Sequence, residues 1–412
     1  MSHASMDAFA LDAFIESIDC TTVADGVHHC TAFSGVTAFE TEAGLVLVDT
    51  GLRAVAGEIA RMLREKTDAP IHTAIYTHGH MDHAFGLEAY LKDDQEPPTV
   101  IGHEAIEDRF DRYELTAGHN DSINSRQFGG TAEDDGQQPG FGWPAQPPTT
   151  TYEDALTVEV GELTFELQHG RGETDDHTWL YCPERDVVCS GDFVITVAPN
   201  AGNPQKVQRY PTEWAEELRK ILAVEPGTLC PGHGEPIVDD PDAIATQLRT
   251  GAEYLDTIVD RTIELLNDGA PPHVDIVTEI ELPEPDEPWL QEVYDTGEFI
   301  VRNVIRRYGG WWSGRPSELK PAPRGDLAAE IVRLAGGVDR VLDRVETLTA
   351  EDELRRACHL ADFALEATPN NEQVRTVVVD VYERRAERAD DLMSKNIYAS
   401  AGAYASEGRR FR

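Results

Sequence analysis

The sequence is poor in basic residues, above all in lysine. Of its 412 residues 35 are Lys or Arg, only 6 of them Lys, against 76 Asp and Glu, which gives a net charge of −41 at pH 7. Such a field repels a phosphate backbone, so we expect no nucleic acid ligand. The acidic residues are spread along the chain and do not form one tail. This pattern favours a halophilic protein, kept soluble in concentrated salt that screens its self-repulsion.

Long apolar runs and cysteine motifs are also missing. No stretch approaches the ~18 unbroken apolar residues that a membrane span needs, so we expect no membrane partner. Residues 1–20 contain acidic side chains and no basic region ahead of an apolar core, unlike a secretory signal. The 6 cysteines form no Cys-x-x-Cys pair. Reduced thiols and a cytoplasmic location are therefore the expectation.

What the chain does contain is a dense group of metal-binding side chains. The stretch 76–83 reads Tyr-Thr-His-Gly-His-Met-Asp-His, between a strand-like run (71–76) and a helix-like run (84–91). Imidazole nitrogen and carboxylate oxygen are preferred ligands of zinc. His78 and His80 point the same way in an extended loop, whereas Asp82 and His83 diverge from them as the helix begins. One short segment can therefore serve two metal ions.

The His-x-His-x-Asp-His pattern after a strand resembles the signature of the metallo-β-lactamase superfamily. The resemblance implies an α/β fold, an αββα sandwich with a dinuclear site at one edge, in which Asp49 supports the metal-binding loop. The implied ligands are His78, His80 and Glu173 for the first metal, Asp82, His83 and His233 for the second, and Asp192 as a bridge between them. His169 or His177 remains an alternative to Glu173.

The carboxyl-terminal third resembles a narrower group within that superfamily. From Pro241 the sequence has helical periodicity, and residues 309–319 read Gly-Gly-Trp-Trp-Ser-Gly-Arg-Pro-Ser-Glu-Leu. This run is similar to the all-α dimerisation domain of alkylsulfatases, which also use Glu as the third ligand but usually place Glu where this chain has Asp192. The implied organisation is an N-terminal arm (1–25), a catalytic domain (26–268) and a helical dimerisation domain (269–412), assembled as a homodimer.

A sulfate ester needs donors beyond the metals, because a negative protein repels its charged oxygens. The segment after Asp192 supplies the candidates Asn200, Asn203, Lys206 and Arg209. Residues 116–151 lack periodicity and predict a long loop beside the site, from which Arg126 would close over the substrate as part of a lid. Two cations sharing a water would lower its pKa and hold it as hydroxide, with Asp82 and Asp192 able to accept its proton and Arg209 facing the ester.

These residues favour a dinuclear zinc hydrolase that acts on a small anionic ester, an alkyl sulfate or a similar compound. Two alternatives remain open. One is a thioester hydrolase or lactonase of the glyoxalase II type, which the superfamily signature alone favours. The other is an iron-dependent oxidoreductase resembling persulfide dioxygenases, because the same ligands accept iron.

Overall fold

The computed structural model describes residues 18–128, 142–270, 275–409 and 411. Two β-sheets form the centre of the amino-terminal part. The first has seven strands, β1 (Asp19–Ala24), β2 (Val27–Thr31), β3 (Val36–Thr41), β4 (Gly44–Val48), β5 (Ile71–Ile75), β6 (Thr99–His103) and β7 (Thr150–Tyr152). The second has the order β12-β11-β10-β9-β8, with β8 (Ala155–Val160), β9 (Leu163–His169), β10 (Thr178–Cys182), β11 (Val187–Ile195) and β12 (Thr228–His233).

Strand direction changes within each sheet. The pairs from β1 to β4 are antiparallel, and those from β4 to β7 are parallel. In the second sheet β8 to β11 pair antiparallel and β12 runs parallel to β11. The sheets face each other through a buried apolar layer that includes Phe39, Val46 and Phe165. Strand β4, Gly-Leu-Val-Leu-Val, is buried throughout, as expected for a central strand covered on both sides.

Helices cover the outer face of each sheet. The first sheet is covered by α1 (Arg53–Arg64), and further along the chain come α2 (Met81–Ala84), a 3-10 turn (Leu87–Tyr90), α3 (Ala105–Leu115) and α4 (Ala117–Gln127). Apolar side chains at helical spacing, Val55, Ile59 and Leu63, bury one face of α1. The second sheet is covered by α5 (Pro211–Ala223) and α6 (Pro241–Asn267). The αββα sandwich is confirmed.

The rest of the described chain is helical. Its elements are α7 (Asp275–Glu279), a 3-10 turn (Pro288–Leu290), α8 (Gly297–Gly309), α9 (Pro316–Leu319), α10 (Arg324–Ala335), α11 (Val338–Ala350), α12 (Leu354–Ala367), α13 (Glu372–Glu387) and α14 (Leu392–Ser406). Helices α11 to α13 share one apolar core, joined by Ala405 of α14. Helix α8 instead packs into the core of the sandwich, where Ile300 and Val304 join Trp214 and Leu248. No helix in the described ranges is long and apolar enough to cross a membrane.

Three expectations from the sequence need correction. Residues 19–24 form a strand of the first sheet, whereas we expected them in an N-terminal arm; residues 1–17 lie outside the described part. Residues 117–127 form helix α4 within the predicted loop, of which 129–141 lie outside the described residues. The prediction of reduced thiols is wrong for Cys20 and Cys30, which stand opposite each other on β1 and β2 and form a disulfide with a Cα–Cα distance of 4.0 Å.

Candidate metal centre

Segments from both sheets bring metal-binding side chains to one edge of the sandwich. Strand β5 leads into the loop that carries His78 and His80, and helix α2 begins directly after it. Glu173 lies between β9 and β10, Asp192 on β11, and His233 at the end of β12. Because β11 and β12 run parallel as neighbours, their carboxyl-terminal halves reach the same edge.

The first ligand group consists of His78, His80, Glu173 and Asp192, whose ligand atoms all lie within 4.8 Å of one another. Glu173 Oε2 lies 3.8 Å from His78 Nε2 and 3.6 Å from His80 Nδ1. Asp192 Oδ2 lies 3.7 Å from His78 Nε2, and the two imidazole nitrogens are 2.8 Å apart. Ligands ~2.0–2.3 Å from a tetrahedral zinc ion are about 3.3–3.8 Å from each other, so three of these four separations have the required spacing.

The second ligand group consists of Asp82, His83 and His233. Asp82 Oδ2 lies 3.4 Å from His83 Nε2 and 3.5 Å from His233 Nε2. The other oxygen of Asp192, Oδ1, lies 3.2 Å from His83 Nε2 and 3.4 Å from His233 Nε2. Asp192 therefore directs one carboxylate oxygen to each group, which is the arrangement of a bridging ligand.

Buried polar atoms without partners mark the interior of both groups. Within the described ranges, His83 Nε2, Glu173 Oε2 and Asp192 Oδ1 are buried and have no hydrogen-bond partner. Leaving such atoms unsatisfied costs about 1–3 kcal/mol each. A cation in each group would satisfy all three, so the donor set is compatible with a dinuclear divalent metal site.

The pKa values of two histidines also bear on metal binding. Burial, and then the nearby His83 and His80, lower the pKa of His78 well below its usual value, which leaves a neutral imidazole able to ligate. Burial also lowers the pKa of His233, but Asp192 and Asp82 outweigh it and raise that pKa to about 9. Cation binding at the second group would therefore displace a proton from His233, and its affinity would fall in acid.

Asp49 stabilises the metal-binding loop through three hydrogen bonds. Its carboxylate accepts the backbone N–H of Thr77 at 2.7 Å, the Thr77 hydroxyl at 2.8 Å and His83 Nδ1 at 2.7 Å. A proton on His83 Nδ1 fixes the tautomer in which Nε2 faces the second ligand group. Asp49 is 2% exposed and has the left-handed φ of 58°, which turns the chain sharply at the end of β4.

Glycines allow the ligand-bearing strands to approach each other closely. A Cβ at Gly232 would lie 2.1 Å from Asp192 Oδ1. A Cβ at Gly191, whose φ is +50°, would lie 2.7 Å from His177 Cε1 and 2.8 Å from Thr77 Cβ. The strand ends under both ligand groups therefore require residues without side chains.

Known families match both parts of the chain. The description "Metallo-beta-lactamase superfamily" matches residues 33–233, which contain all seven ligand-group residues, and "Alkyl sulfatase dimerisation" matches residues 273–408. The chain is an alkylsulfatase-like member of the metallo-β-lactamase superfamily. The order of the two matches agrees with the sandwich and the helical region described above.

Several relatives of this alkylsulfatase-like protein are curated enzymes. A linear primary-alkylsulfatase of Pseudomonas sp. is 26% identical over 382 residues, which cover 87% of this chain and 71% of the relative. An alkyl/aryl-sulfatase of Saccharomyces cerevisiae is 24% identical, covering 89% of this chain and 60% of the relative. The solved stereoselective inverting sec-alkylsulfatase of Pseudomonas sp. superposes with a TM-score of 0.84 at 21% identity, covering 95% of this chain and 66% of that one; the likeness bears on fold alone.

The two alternatives to Glu173 lie outside the ligand groups of this alkylsulfatase-like protein. His177 stacks on His78, but its Nε2 accepts the backbone N–H of Asp192 at 3.0 Å. His169 stacks on His103 with ring centroids 3.6 Å apart, and its Nδ1 lies 3.0 Å from the carbonyl oxygen of His177. Both histidines therefore support neighbouring backbone.

The sequence reasoning missed an ion pair that braces the first ligand group. Asp176 is fully buried, accepts the backbone N–H of Gly79 at 2.8 Å and pairs with Arg109 Nε at 2.8 Å. Burial opposes the charged form of Asp176, but Arg109 outweighs it and lowers the pKa of Asp176 to about 2. Asp176 therefore stays ionised and fixes the backbone between His78 and His80.

The segment 200–209 lies against the first ligand group. Arg209 pairs with Glu173, Asn200 Nδ2 donates to the same carboxylate, and Arg209 Nη1 donates to the Asn200 carbonyl at 2.8 Å. Arg209 Nε and Asn200 Oδ1 are buried and have no partner in the part of the chain that the structure describes. Burial, and then Arg209, lower the pKa of Lys206 to about 7. Arg209 thus has a free donor beside the first ligand group, whereas Lys206 Nζ donates to Asn124 Oδ1 on α4.

Two of the candidate substrate residues, Arg126 from the predicted lid and Asn203 from the segment after Asp192, form contacts with neighbouring helices. Arg126, on α4, stacks over the rings of Tyr404 and Phe411 at 6.0 and 5.0 Å. It faces the last helix, and among the described residues no ion pair joins its guanidinium to a ligand-group carboxylate. Asn203 Nδ2 donates to Gln127 Oε1 at 3.3 Å, which ties the segment 200–209 to α4.

Sequence reasoning also did not single out Tyr294. Its hydroxyl accepts a hydrogen bond from Gln127 Nε2. Burial, followed by the charge of Glu173, raises the pKa of this phenol, and Asp82 adds to the effect. Tyr294 therefore remains protonated and is sensitive to the charges of Glu173 and Asp82, yet nothing in the local sequence distinguishes it from a structural tyrosine.

Proposed function

We propose that this protein hydrolyses sulfate esters of alcohols with two divalent metal ions, zinc by preference. The observation that carries the proposal is the set of anion-binding groups beside the metal ligands, where Arg209 and Lys206 introduce positive charge into a strongly negative protein. The curated relatives named alkylsulfatases support it. The chain covers 60% to 71% of the length of those relatives, so the activity of the whole protein is a proposal.

In this mechanism the protein side chains bind the ester and accept a proton. Two divalent cations would supply positive charge beside the ester and its leaving oxygen. Arg209 Nε and Asn200 orient the sulfate group by hydrogen bonding. Asp82 directs Oδ2 towards His83 and His233, which leaves Oδ1 to accept the proton of the attacking water. Its side chain is 16% exposed against 6% for Asp192, so Asp82 is the more accessible of the two carboxylates.

A substrate panel tests the proposal. Protein loaded with zinc is assayed in concentrated salt against alkyl sulfates, alkyl phosphates, thioesters and persulfides, with oxygen uptake recorded for the last. We expect equal release of sulfate and alcohol, and turnover in heavy-oxygen water identifies the broken bond by the product that carries the label. Thioester hydrolysis or oxygen consumption without sulfate release would overturn the proposal in favour of one of the alternatives.

A pair of arginine variants separates binding from folding. Arg209→Met removes the buried guanidinium beside Glu173, and we expect KM for an alkyl sulfate to rise about tenfold to a hundredfold. Arg302→Met is the control, since Arg302 lies on α8 with its side chain 44% exposed and pairs with Glu298. Equal KM values for the two variants would show that Arg209 does not bind the substrate.

We also infer a homodimer formed through the helical region. Six of the fourteen exposed large hydrophobic side chains in the described residues lie between 308 and 334, and Trp311 is 75% exposed. Residues 301–412 carry 19 basic and 18 acidic residues, whereas residues 1–300 carry 16 and 58. Two copies can therefore meet through this neutral, apolar surface without close contact between their acidic parts.

The charge distribution supports a halophilic adaptation of the sandwich part. Residues 1–300 carry the whole excess of acid, and concentrated salt shortens the Debye length to ~3 Å at 1 M. We expect the unfolding midpoint to rise steadily from 0.1 to 3 M KCl; a midpoint independent of salt would contradict the adaptation. The cytoplasmic location is part of the same proposal and is tested by cell fractionation.

A further inference from the structure

The segment 200–209 is held on its outer side by a buried carboxylate of the helical region. Asp295 is 0% exposed and precedes helix α8. Its Oδ2 accepts the backbone N–H groups of Gly202 and Asn203, the latter at 3.1 Å, and Oδ1 accepts the N–H of Thr296 at 2.8 Å. No basic side chain of the described residues forms an ion pair with it. The cost of burying this charge is therefore offset mainly by backbone donors, two of them from the segment.

Asn303 on α8 joins the two ends of the same segment. Its Nδ2 donates to the carbonyl of Ala201 at 2.8 Å and to the carbonyl of Arg209 at 2.9 Å. Its Oδ1 accepts Gln208 Nε2 at 3.1 Å and an Arg306 nitrogen at 2.9 Å. One side chain, 3% exposed, thus closes residues 201–209 into a loop.

The backbone of the segment lies directly on the first turn of α8. A Cβ at Gly202 would approach the backbone nitrogen of Ile300 and the backbone carbon of Phe299 to 2.5 Å. The segment cannot approach this closely with any larger residue at that position. Its conformation is therefore set by α8 on one side and by Glu173 on the other.

We propose that Asp295 and Asn303 are positioning residues for the substrate anion. By fixing the backbone of 201–209 they determine where Asn200 and Arg209 meet Glu173 and the sulfate group. The helical region would then contribute to substrate binding in its own chain as well as to dimer formation. The inference rests on the proposed sulfate ester chemistry for the identity of the anion, but the contacts themselves do not depend on it.

The test uses the full-length, zinc-loaded protein and two matched pairs of variants. Asp295→Asn removes the charge and keeps one acceptor; Asp391→Asn does the same to a buried carboxylate that caps α14 through Ser394. Asn303→Ala is compared with Asn371→Ala, which removes the cap of α13. The measurements are amide hydrogen exchange of 200–209, calorimetric binding of inorganic sulfate, metal content, thermal unfolding and the kcat and KM of an alkyl sulfate.

For Asp295→Asn and Asn303→Ala we expect exchange in 200–209 to accelerate at least about tenfold, and sulfate affinity to fall by about tenfold to a hundredfold. KM should rise by the same factor while kcat changes less and two metal ions per chain remain. The control variants should lose thermal stability without these changes, because their side chains do not contact the segment.

Different results overturn different parts of the inference. Unchanged exchange in 200–209 would exclude the positioning role. Faster exchange with unchanged sulfate affinity would show that Asp295 and Asn303 stabilise the structure without positioning the anion. Equal effects in the control variants would lead to the same conclusion. Wild-type protein that neither binds sulfate nor releases it from an ester would refute the proposed function, while the exchange comparison would still decide whether the two residues hold the segment.

Discussion

Replacing Asp49 with Asn should weaken the second ligand group before the first. Asp49 accepts three hydrogen bonds, from Thr77 N, Thr77 Oγ1 and His83 Nδ1, all between 2.7 and 2.8 Å. An asparagine can keep the bond to Thr77 N, but its NH2 group would then face His83 Nδ1. That contact favours the tautomer with the proton on Nε2, and a protonated Nε2 cannot ligate a metal.

The expected magnitude follows from the role of that bond. Loss of an outer partner of a metal-ligating histidine typically costs about 10–100-fold in metal affinity, or about 1.4–2.8 kcal/mol. The site is dry, with His83 at 0% and Asp49 at 2% exposure, so water does not replace the lost acceptor and we expect the upper half of this range. The first ligand group has no direct bond to Asp49 and should lose much less.

Stepwise titration with a chelator measures the two affinities, and elemental analysis counts the ions retained. The matched variant is Asp176→Asn, which removes the charge paired with Arg109 and leaves one acceptor oxygen for Gly79 N and Arg109 Nε together, so it should weaken the first group instead. Wild-type affinity for both ions in Asp49→Asn, within a factor of two, would refute the tautomer argument. Loss of both ions together would refute the independence of the two groups.

Three further predictions concern pH, the disulfide and assembly. The pKa of Lys206 is lowered to about 7, so its ammonium is charged below pH 7 and neutral above. Initial rates should therefore show that KM for an alkyl sulfate rises about fivefold between pH 6 and 8. In Lys206→Met we expect KM to be independent of pH over this range. Reduction of the Cys20–Cys30 bond should lower the free energy of unfolding by about 2–3 kcal/mol in denaturant titrations. The double variant Trp311→Asp, Leu334→Asp should sediment as a monomer, since both side chains are at least 75% exposed on the proposed dimer surface.

Control variants decide each of these outcomes. A parallel pH dependence in wild type and Lys206→Met would exclude Lys206 as the titrating group. Cys358→Ser, which alters a free thiol, should leave the effect of reductant unchanged. Leu115→Asp changes an 84% exposed side chain on α3, outside the helical region, and a monomer in that variant would place the dimer surface elsewhere.

The ligand groups were accessible to sequence reasoning because their residues lie at the ends of strongly apolar strands. Glu173, Asp192 and His233 are far from residues 78–83 in sequence, but each follows or ends a strand that the apolar pattern identifies. The resemblance supplied the sandwich, the ligand roles of Asp192 and His233, and the choice of Glu173 over His169 and His177. The structure brings Glu173 into the first group.

Other features depend on pairings that local sequence does not encode. Arg109 and Asp176 are 67 residues apart, and Asp295 is over 90 residues from the backbone it binds. Arg126 was interpreted as a substrate residue because the packing of α14 against α4 has no local signature. The disulfide is only partly different: Asp25-Gly26 is a strong hairpin turn signal, but a regular hairpin centred there pairs Cys20 with Thr31. A register shift between Thr22 and Ala24 places Cys20 opposite Cys30.

The absence of a side chain at Gly191 and Gly232 limits where mutations can change substrate preference. Any side chain there would collide with Asp192, Thr77 or His177, so neither position can be diversified. The segment 200–209 contacts Glu173 and is held by Asn303, and it can vary without entering these strand ends. A mutant library aimed at new esters should randomise positions of that segment other than Gly202 and leave Gly191 and Gly232 untouched.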